Sequence, residues 1–370
     1  MEYARRLRRL RSSLEENHLD SLLVTHLPNI RYLGGFTGSA AALLVADRGC
    51  ILFTDGRYRT QAKEELKRAN VNMNIVIARK SPLVAAAEWL AAQPKSSTRL
   101  YLGIEPESLT AGMRDRLASV LRGRTKVRLR SAPPLIERAR LVKDAQEILR
   151  IRQAVELGAS LFLIARSKIR PGISEVAVAA AMEYEARCAG AEGMSFPTIL
   201  ASGPRSAIVH GRASDARIPQ RGFVVCDFGV ILAGYCSDRT RTVHVGHPSA
   251  EARRLYEAVL NAQQAAIAAV RPGVTAAEVD GAARRVLRQQ KLARYFTHST
   301  GHGLGLEIHE APRLAAGQTQ KLEAGMVVTI EPGAYIPGKW GVRIEDVVVV
   351  TSSGCEVLTP ADKDKELVVI

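Results

Sequence analysis

Between Val224 and His244 the chain reads VVCDFGVILAGYCSDRTRTVH, two β-rich runs separated by a short break. Each run carries an aspartate, Asp227 or Asp238, where a buried strand calls for an apolar residue. With the turn centred on Leu232-Ala233, a hairpin sets Asp227 opposite Asp238, with Cβ atoms about 4.5–5.5 Å apart. Two carboxylates that close repel each other and lose solvation, so a folded sheet accommodates them around a cation. The competing reading is an off-register turn with one aspartate in solvent, and this stretch alone leaves both open.

Composition narrows the function classes. A length of 370 residues accommodates one to three domains. No apolar run is long enough to span a bilayer, so a membrane partner is not expected. The opening MEYARRLRRLRSSLEENHL is basic but lacks the apolar core of a secretory signal. Its glutamates (Glu2, Glu15, Glu16) and amphipathic spacing favour a surface helix over a mitochondrial presequence. Five scattered cysteines, Cys50, Cys188, Cys226, Cys236 and Cys355, form no CxxC and read as reduced thiols of a cytoplasmic protein. Strand alternation turns Cys226 and Cys236 away from the face of the aspartates, into the core. The formal charge of +15 raises a nucleic-acid hypothesis. The basic residues are spread along the chain with no interleaved stacking motif, so a solvated surface is the better reading and no nucleic-acid partner is expected. Such a surface would help to draw in peptide carboxylates.

From the N-terminus, residues 4 to 17 have Leu7, Leu10 and Leu14 at helical spacing. NIRYLGGFTGS reads as turn-rich, and AALLVADRGCILFTD as a hairpin around Asp47-Arg48-Gly49. Strands and helices then alternate to about residue 130, which argues a small α/β domain over residues 1–132. Ala132-Pro133-Pro134 marks the boundary, and residues 133–370 form the second domain. A long helix follows, with Lys143-Asp144 as its N-terminal break, and Pro171-Gly172 separates it from a helix capped by Ser174. Strands dominate from Ser195, interrupted by two more helices. Two helix pairs, each followed by carboxylate-bearing strands, hint at an internal duplication.

Further ionisable residues sit in β-like or Gly-rich settings. His302 lies among Gly301, Gly303 and Gly305, and His309 follows seven residues on; this is not the helical HExxH spacing. Glu331 ends the buried run MVVTI, and Glu345 precedes DVVVV across a Gly-rich reversal, a second pair of carboxylates on facing strands. Asp346, next in line, points to the opposite face. His210 falls in a turn, and by itself reads as a surface histidine. Together Asp227, Asp238, Glu331, Glu345 and His302 make a hard, oxygen-rich set. It suits a pair of divalent ions such as Mn²⁺, Co²⁺ or Zn²⁺ better than a structural zinc, which prefers thiolates. Two such ions can share and acidify a water and polarise a carbonyl, which is amide-hydrolysis chemistry.

The segments DFG…CSDRTRT, GHGLGLEIHE, TIEPG and GVRIEDVV stand in the order and spacing of the M24 metallopeptidases, the pita-bread family. They resemble most its Xaa-Pro peptidases, the aminopeptidase P and prolidase groups. SFPTILASGPRSAIVHG resembles the substrate-histidine segment of these enzymes, and NIRYLGGFTGSAAALLV with LFTDGRY resembles the creatinase/prolidase N-terminal domain. The resemblance implies an α+β pita-bread catalytic domain behind a smaller α/β domain. It implies that Asp227 chelates one ion, that His302 and Glu331 hold the other, and that Asp238 and Glu345 bridge them. It further implies Glu331 as general base, His210 and His309 as contacts to substrate and transition state, and Arg343 beside the bridging glutamate and bound peptide. The intact ligand set disfavours creatinase, and the N-terminal domain disfavours methionine aminopeptidase.

The activity expected is removal of an N-terminal residue before proline, dependent on two divalent ions with manganese placed first. Proline-containing peptides are the expected partners, and the expected assembly is a homodimer. Aminopeptidase P is placed ahead of prolidase, which would act on Xaa-Pro dipeptides. A catalytically inactive, peptidase-like binding protein is the alternative from another class.

Overall fold

The computed structural model describes residues 1–47, 49–93, 99–122, 126–359 and 367–370. They form two units, Met1–Arg140 and Leu141–Ile370.

In the first unit, alternating strands and helices build a six-stranded mixed sheet. Its spatial order is Asn74–Ala78, Gly49–Asp55, Ala41–Ala46, Ser21–Val24, Leu100–Ile104 and Val127–Ser131. Three consecutive strands, Gly49–Asp55, Ala41–Ala46 and Ser21–Val24, pair antiparallel, and the other three add in parallel. Leu23, Phe53 and Leu102 are buried in its core, each worth roughly 1.5–3 kcal/mol relative to exposure. The first helix, Tyr3–Glu16, buries Leu7, Leu10 and Leu14, as their spacing anticipates. NIRYLGG differs from its expected turn: Leu27–Gly34 is a helix. Pro28 occupies its first turn, where an amide proton needs no partner, and Gly35 at φ +75° ends it. Eight residues are too few for periodicity to announce it. The expected hairpin forms between Ala41–Ala46 and Gly49–Asp55; its turn residue Arg48 lies outside the described residues.

The second unit rests on two helix pairs, Ala145–Lys168 with Glu175–Cys188 and Ala250–Ala269 with Ala276–Gln289. Asp144 starts the first helix by accepting from the backbone N–H groups of Gln146 and Glu147, both at 2.9 Å, a cap worth about 1 kcal/mol. Within each pair the connection repeats: Arg170-Pro171-Gly172 in one and Arg271-Pro272-Gly273 in the other. Both glycines have positive φ, 82° and 85°. Their N–H groups donate to Ile218 O and Leu322 O, each at 2.9 Å. The duplication hinted at by the helix pairs is thus carried into matching backbone contacts.

Each pair covers its own sheet. Phe162 and Val178 pack with Val224, Cys226 and Phe228. Val259 and Val279 pack with Val328, Ile330 and Val348. The first sheet places Gly222–Phe228 between Ile199–Ser202 and Arg239–Val245. The second runs Glu310–Leu314, Gly301–Gly303, Val327–Ile330, Asp346–Val350, Cys355–Val357, and a two-stranded ribbon joins Gly333–Ile336 to Trp340–Arg343. No helix among the described residues is long and apolar enough to cross a membrane.

Candidate metal centre

The aspartate hairpin forms, with a corrected register. Its turn is Ala233-Gly234, at φ +48° and +84°, a pairing of left-handed residues that matches the twist of the flanking strands. Moving the turn centre places Asp227 across from Thr240 and not from Asp238, which sits just ahead of the strand Arg239–Val245. A shift by two leaves every side chain on its original face, so both aspartates still project to one side. The backbone closes tightly there: a Cβ on Gly229 would lie 1.9 Å from the Ser237 carbonyl oxygen.

Glu331 and Glu345 come together by a simpler route. Ile330 pairs with Asp346, and Gly333 pairs with Arg343 in the same register. The two glutamates occupy the facing break between these ladders.

The polar atoms at this point are arranged for a cation. Asp227 Oδ1, Asp238 Oδ1 and Glu345 Oε1 are buried and have no hydrogen-bond partner among the described residues. Asp238, His302 and Glu345 each present a ligand atom within 4.8 Å of the others. His302 Nε2 lies 3.5 Å from Asp238 Oδ2 and 3.5 Å from Glu331 Oε1. His302 Nδ1 donates to Gly303 O at 3.0 Å, so in the neutral ring Nε2 turns its lone pair toward the carboxylates, the orientation of a metal-bound imidazole. Several uncompensated buried charges would destabilise the fold by several kcal/mol each. A divalent cation relieves all of them at once, and the residues present fit one.

Electrostatics record the same crowding. Burial, followed by repulsion from Asp227 and Glu331, holds the Asp238 carboxyl well above the usual carboxylate range. Burial and then Asp238 do the same to Glu345. Glu331 is raised by burial, with His302 and Arg343 opposing.

All eight residues singled out in the sequence line one cleft of about 620 Å³: Asp227, Asp238, His302, Glu331, Glu345, His210, His309 and Arg343. His210 and His309 lie at its exposed rim. The His309 ring meets His302 edge-on at 4.5 Å. Partial burial, then the neighbouring His302, lowers its pKa. Arg343 is buried and donates to Asp227 Oδ2, to Tyr335 Oη at 2.7 Å and to Val209 O at 3.0 Å. Asp346 does face away, bonded to Arg241 and Gln263.

Three contributors escape sequence reasoning. Thr240 Oγ1 donates to Glu345 Oε2 at 2.7 Å; alternation from Asp238 through Thr240 to Thr242 was the available signal. His298 Nδ1 donates to Ser299 O at 2.8 Å, and its Nε2 accepts from Tyr335 Oη at 2.9 Å. Burial pushes His298 down to about 3, which keeps it neutral. Neither His298 nor Tyr335 has a periodic or spacing signal. Phe196, Pro197, Ile199 and Val209 supply an apolar wall, and Arg212 and Arg313 line the same cleft.

Comparisons with known proteins match both parts of the chain. Residues 150–352 match the description Metallopeptidase family M24, and residues 6–142 match the Creatinase/Prolidase N-terminal domain. An Xaa-Pro dipeptidase from Pyrococcus horikoshii is 35% identical over 352 residues, covering 95% of each chain. The solved structure of an Xaa-Pro dipeptidase from Bacillus anthracis is 38% identical, with a TM-score of 0.91 over 100% of both chains. That of an X-Pro aminopeptidase from Thermotoga maritima is 34% identical, with a TM-score of 0.87 over 99% of this chain and 100% of that one. The α+β catalytic fold is that of the pita-bread prolidases and aminopeptidases, preceded by the smaller α/β domain. With its carboxylate–imidazole centre inside the matched region, the chain belongs to metallopeptidase family M24.

Proposed function

We propose that the chain is a metal-dependent Xaa-Pro dipeptidase, a reversal of the order in which the sequence alone ranks the two peptidase groups. The observation that carries this reading is the convergence of four carboxylates and His302 on one cleft whose lining also includes apolar and cationic side chains. The names of the similar proteins support the dipeptidase over the aminopeptidase. Aminopeptidase P stays as the second reading, because the Thermotoga maritima enzyme shares the fold at similar identity.

Asp227, Asp238, His302, Glu331 and Glu345 would hold two divalent ions, manganese first, with Asp238 and Glu345 shared. Such ions supply Lewis-acid polarisation of the scissile carbonyl and acidify water in the site. Glu331, raised by burial, is suited to take the proton of the attacking water and pass it to the leaving nitrogen. His210 and His309 at the rim would donate to the substrate carbonyl. The wall of Phe196, Pro197, Ile199 and Val209 takes the prolyl ring, which has no N–H to satisfy. Arg212 and Arg313 have no side-chain partner among the described residues and offer guanidinium groups to the dipeptide carboxylate. Five free cysteines suit a cytoplasmic enzyme, and a homodimer is the assembly proposed.

Hydrolysis rates decide the matter when measured on an Xaa-Pro dipeptide, its C-terminal amide and an Xaa-Pro-Xaa tripeptide, with and without added Mn²⁺. The dipeptide acid should be cleaved at least tenfold faster than the other two, and chelation should abolish the reaction. Preference for the tripeptide would establish the aminopeptidase reading. Absence of both metal binding and hydrolysis would leave a peptidase-like binding protein.

A further inference from the structure

Behind the proposed metal centre, on the face turned away from the cleft, lies a second buried charge cluster. Arg241 extends from the strand Arg239–Val245, which follows Asp238, and Asp346 opens the strand Asp346–Val350 of the other sheet, directly after Glu345. Arg241 Nη2 donates to Asp346 Oδ1 at 2.8 Å. Gln263, from the helix Ala250–Ala269, donates to Asp346 Oδ2 at 2.7 Å. Arg241 Nη1 reaches back and donates to Thr240 O at 3.0 Å and to Glu345 O. Glu345 is therefore held on three sides. Its N–H donates to Thr240 O at 3.1 Å, its Oε2 accepts from Thr240 Oγ1, and its carbonyl accepts from Arg241.

These bonds join two separate sheets where their carboxylates must meet. The strand after Asp238 belongs to the three-stranded sheet and the strand after Glu345 to the five-stranded one, with no ladder between them among the described residues. Asp238 and Glu345 present ligand atoms within 4.8 Å of each other, and two carboxylates that close repel, so something other than their own interaction must hold them at ligand spacing. Planar, bidentate guanidinium geometry suits that task better than a point charge.

We propose that Arg241, Asp346 and Gln263 form a positioning clamp that sets the spacing of Asp238 and Glu345, and so the affinity of the centre for its divalent ions. The clamp touches neither ion nor substrate. This inference rests on the metal-centre reading above. Loss of such outer partners typically costs about 10–100-fold in metal affinity.

The test is Mn²⁺ titration by calorimetry of metal-free full-length protein, together with its thermal melt. In the double variant Arg241→Met with Asp346→Leu, both charges leave together, and such apolar replacement of a buried pair is often neutral for stability. The metal-free melting temperature should stay within a few degrees of the parent, and Mn²⁺ affinity should fall at least tenfold. Arg241→Lys keeps the charge against Asp346 but loses the fork onto the Glu345 carbonyl; it should bind Mn²⁺ with intermediate affinity and decides the question if the double variant does not fold. Affinity within twofold of the parent in whichever of the two variants folds overturns the clamp. If the parent protein itself binds no divalent ion, the metal-centre reading fails first, and the clamp with it; the two failures differ in whether the parent titrates.

Discussion

Arg343 and Asp227 meet as a buried ion pair in which the guanidinium takes one carboxylate oxygen and leaves the other, Oδ1, without a partner. The same guanidinium reaches Thr240 Oγ1 at 3.2 Å and Tyr335 Oη. Asp227 is thereby oriented from outside the centre, with one oxygen free to face a cation. Tyr335 accepts from Arg343 and donates to His298, so the histidine outside the ligand set is tied to the same arginine.

Replacing Arg343 tests how much this pair holds. Arg343→Met leaves Asp227 buried without its cationic partner, a change that typically costs about 3–5 kcal/mol. Chemical denaturation of the metal-free variant should show a loss of that size. A loss within experimental error would mean that Asp227 reorients to solvent at no cost.

Asp238→Asn should act in the opposite direction on the metal-free protein. Burial and like charges disfavour the ionised Asp238 side chain, so a neutral amide of the same shape relieves the strain. At pH 7.5 in chelator the variant should melt roughly 2–4 °C above the parent, about what 1 kcal/mol is worth in a domain of this size. Activity with Mn²⁺ should be lost. Full activity in the variant would remove Asp238 from the two-ion scheme.

The pH dependence of metal binding follows from the same shifts. Asp238 and Glu345 are raised above their unfolded values, first by burial. The stability they contribute in the metal-free fold is present below the unfolded carboxylate range and is lost as pH rises through the raised values. A cation competes with those protons, so its affinity increases over the same interval. The melting temperature of the metal-free protein should fall, and the stabilisation by Mn²⁺ should grow, as pH rises from the unfolded carboxylate range, about pH 4, toward neutrality. Calorimetry in buffers of different ionisation enthalpy should detect proton release on binding. Binding as tight at the acid end as at neutrality would refute the assignment.

Thiol chemistry offers an independent check of the strand faces. Cys226 and Cys236 are both buried, and burial pushes each thiol up to about 12, while Cys188 is exposed. A maleimide reagent at pH 7.5 should label Cys188 within minutes and Cys226 and Cys236 only after unfolding. Early labelling of Cys226 would place it on the cleft side of its strand.

Much of this protein was legible along the chain. Alternation told which residues share a face, and that is a local property of a strand. It put Asp227 and Asp238 on one side, Cys226 in the core, and Asp346 away from Glu345. Buried carboxylates at strand ends and a histidine among glycines then pointed to a cation, because burying such charges uncompensated is costly. The helix Leu27–Gly34 and the pairing of Asp227 with Thr240 were not legible in the same way. The first is too short to show a period, and the second depends on left-handed φ at Ala233, which an alanine does not advertise.

Tertiary structure alone decided the rest, because it rests on contacts between segments remote in sequence. The meeting of His298, Tyr335 and Arg343, the grip of Arg241 on Glu345, and the mixed apolar and cationic wall of the cleft all join segments whose order along the chain carries no trace of their contact. Chain-local patterns determined which side chains this protein could turn toward a metal. Packing of two sheets, each under its own helix pair, decided at what distance and against which neighbours they arrive.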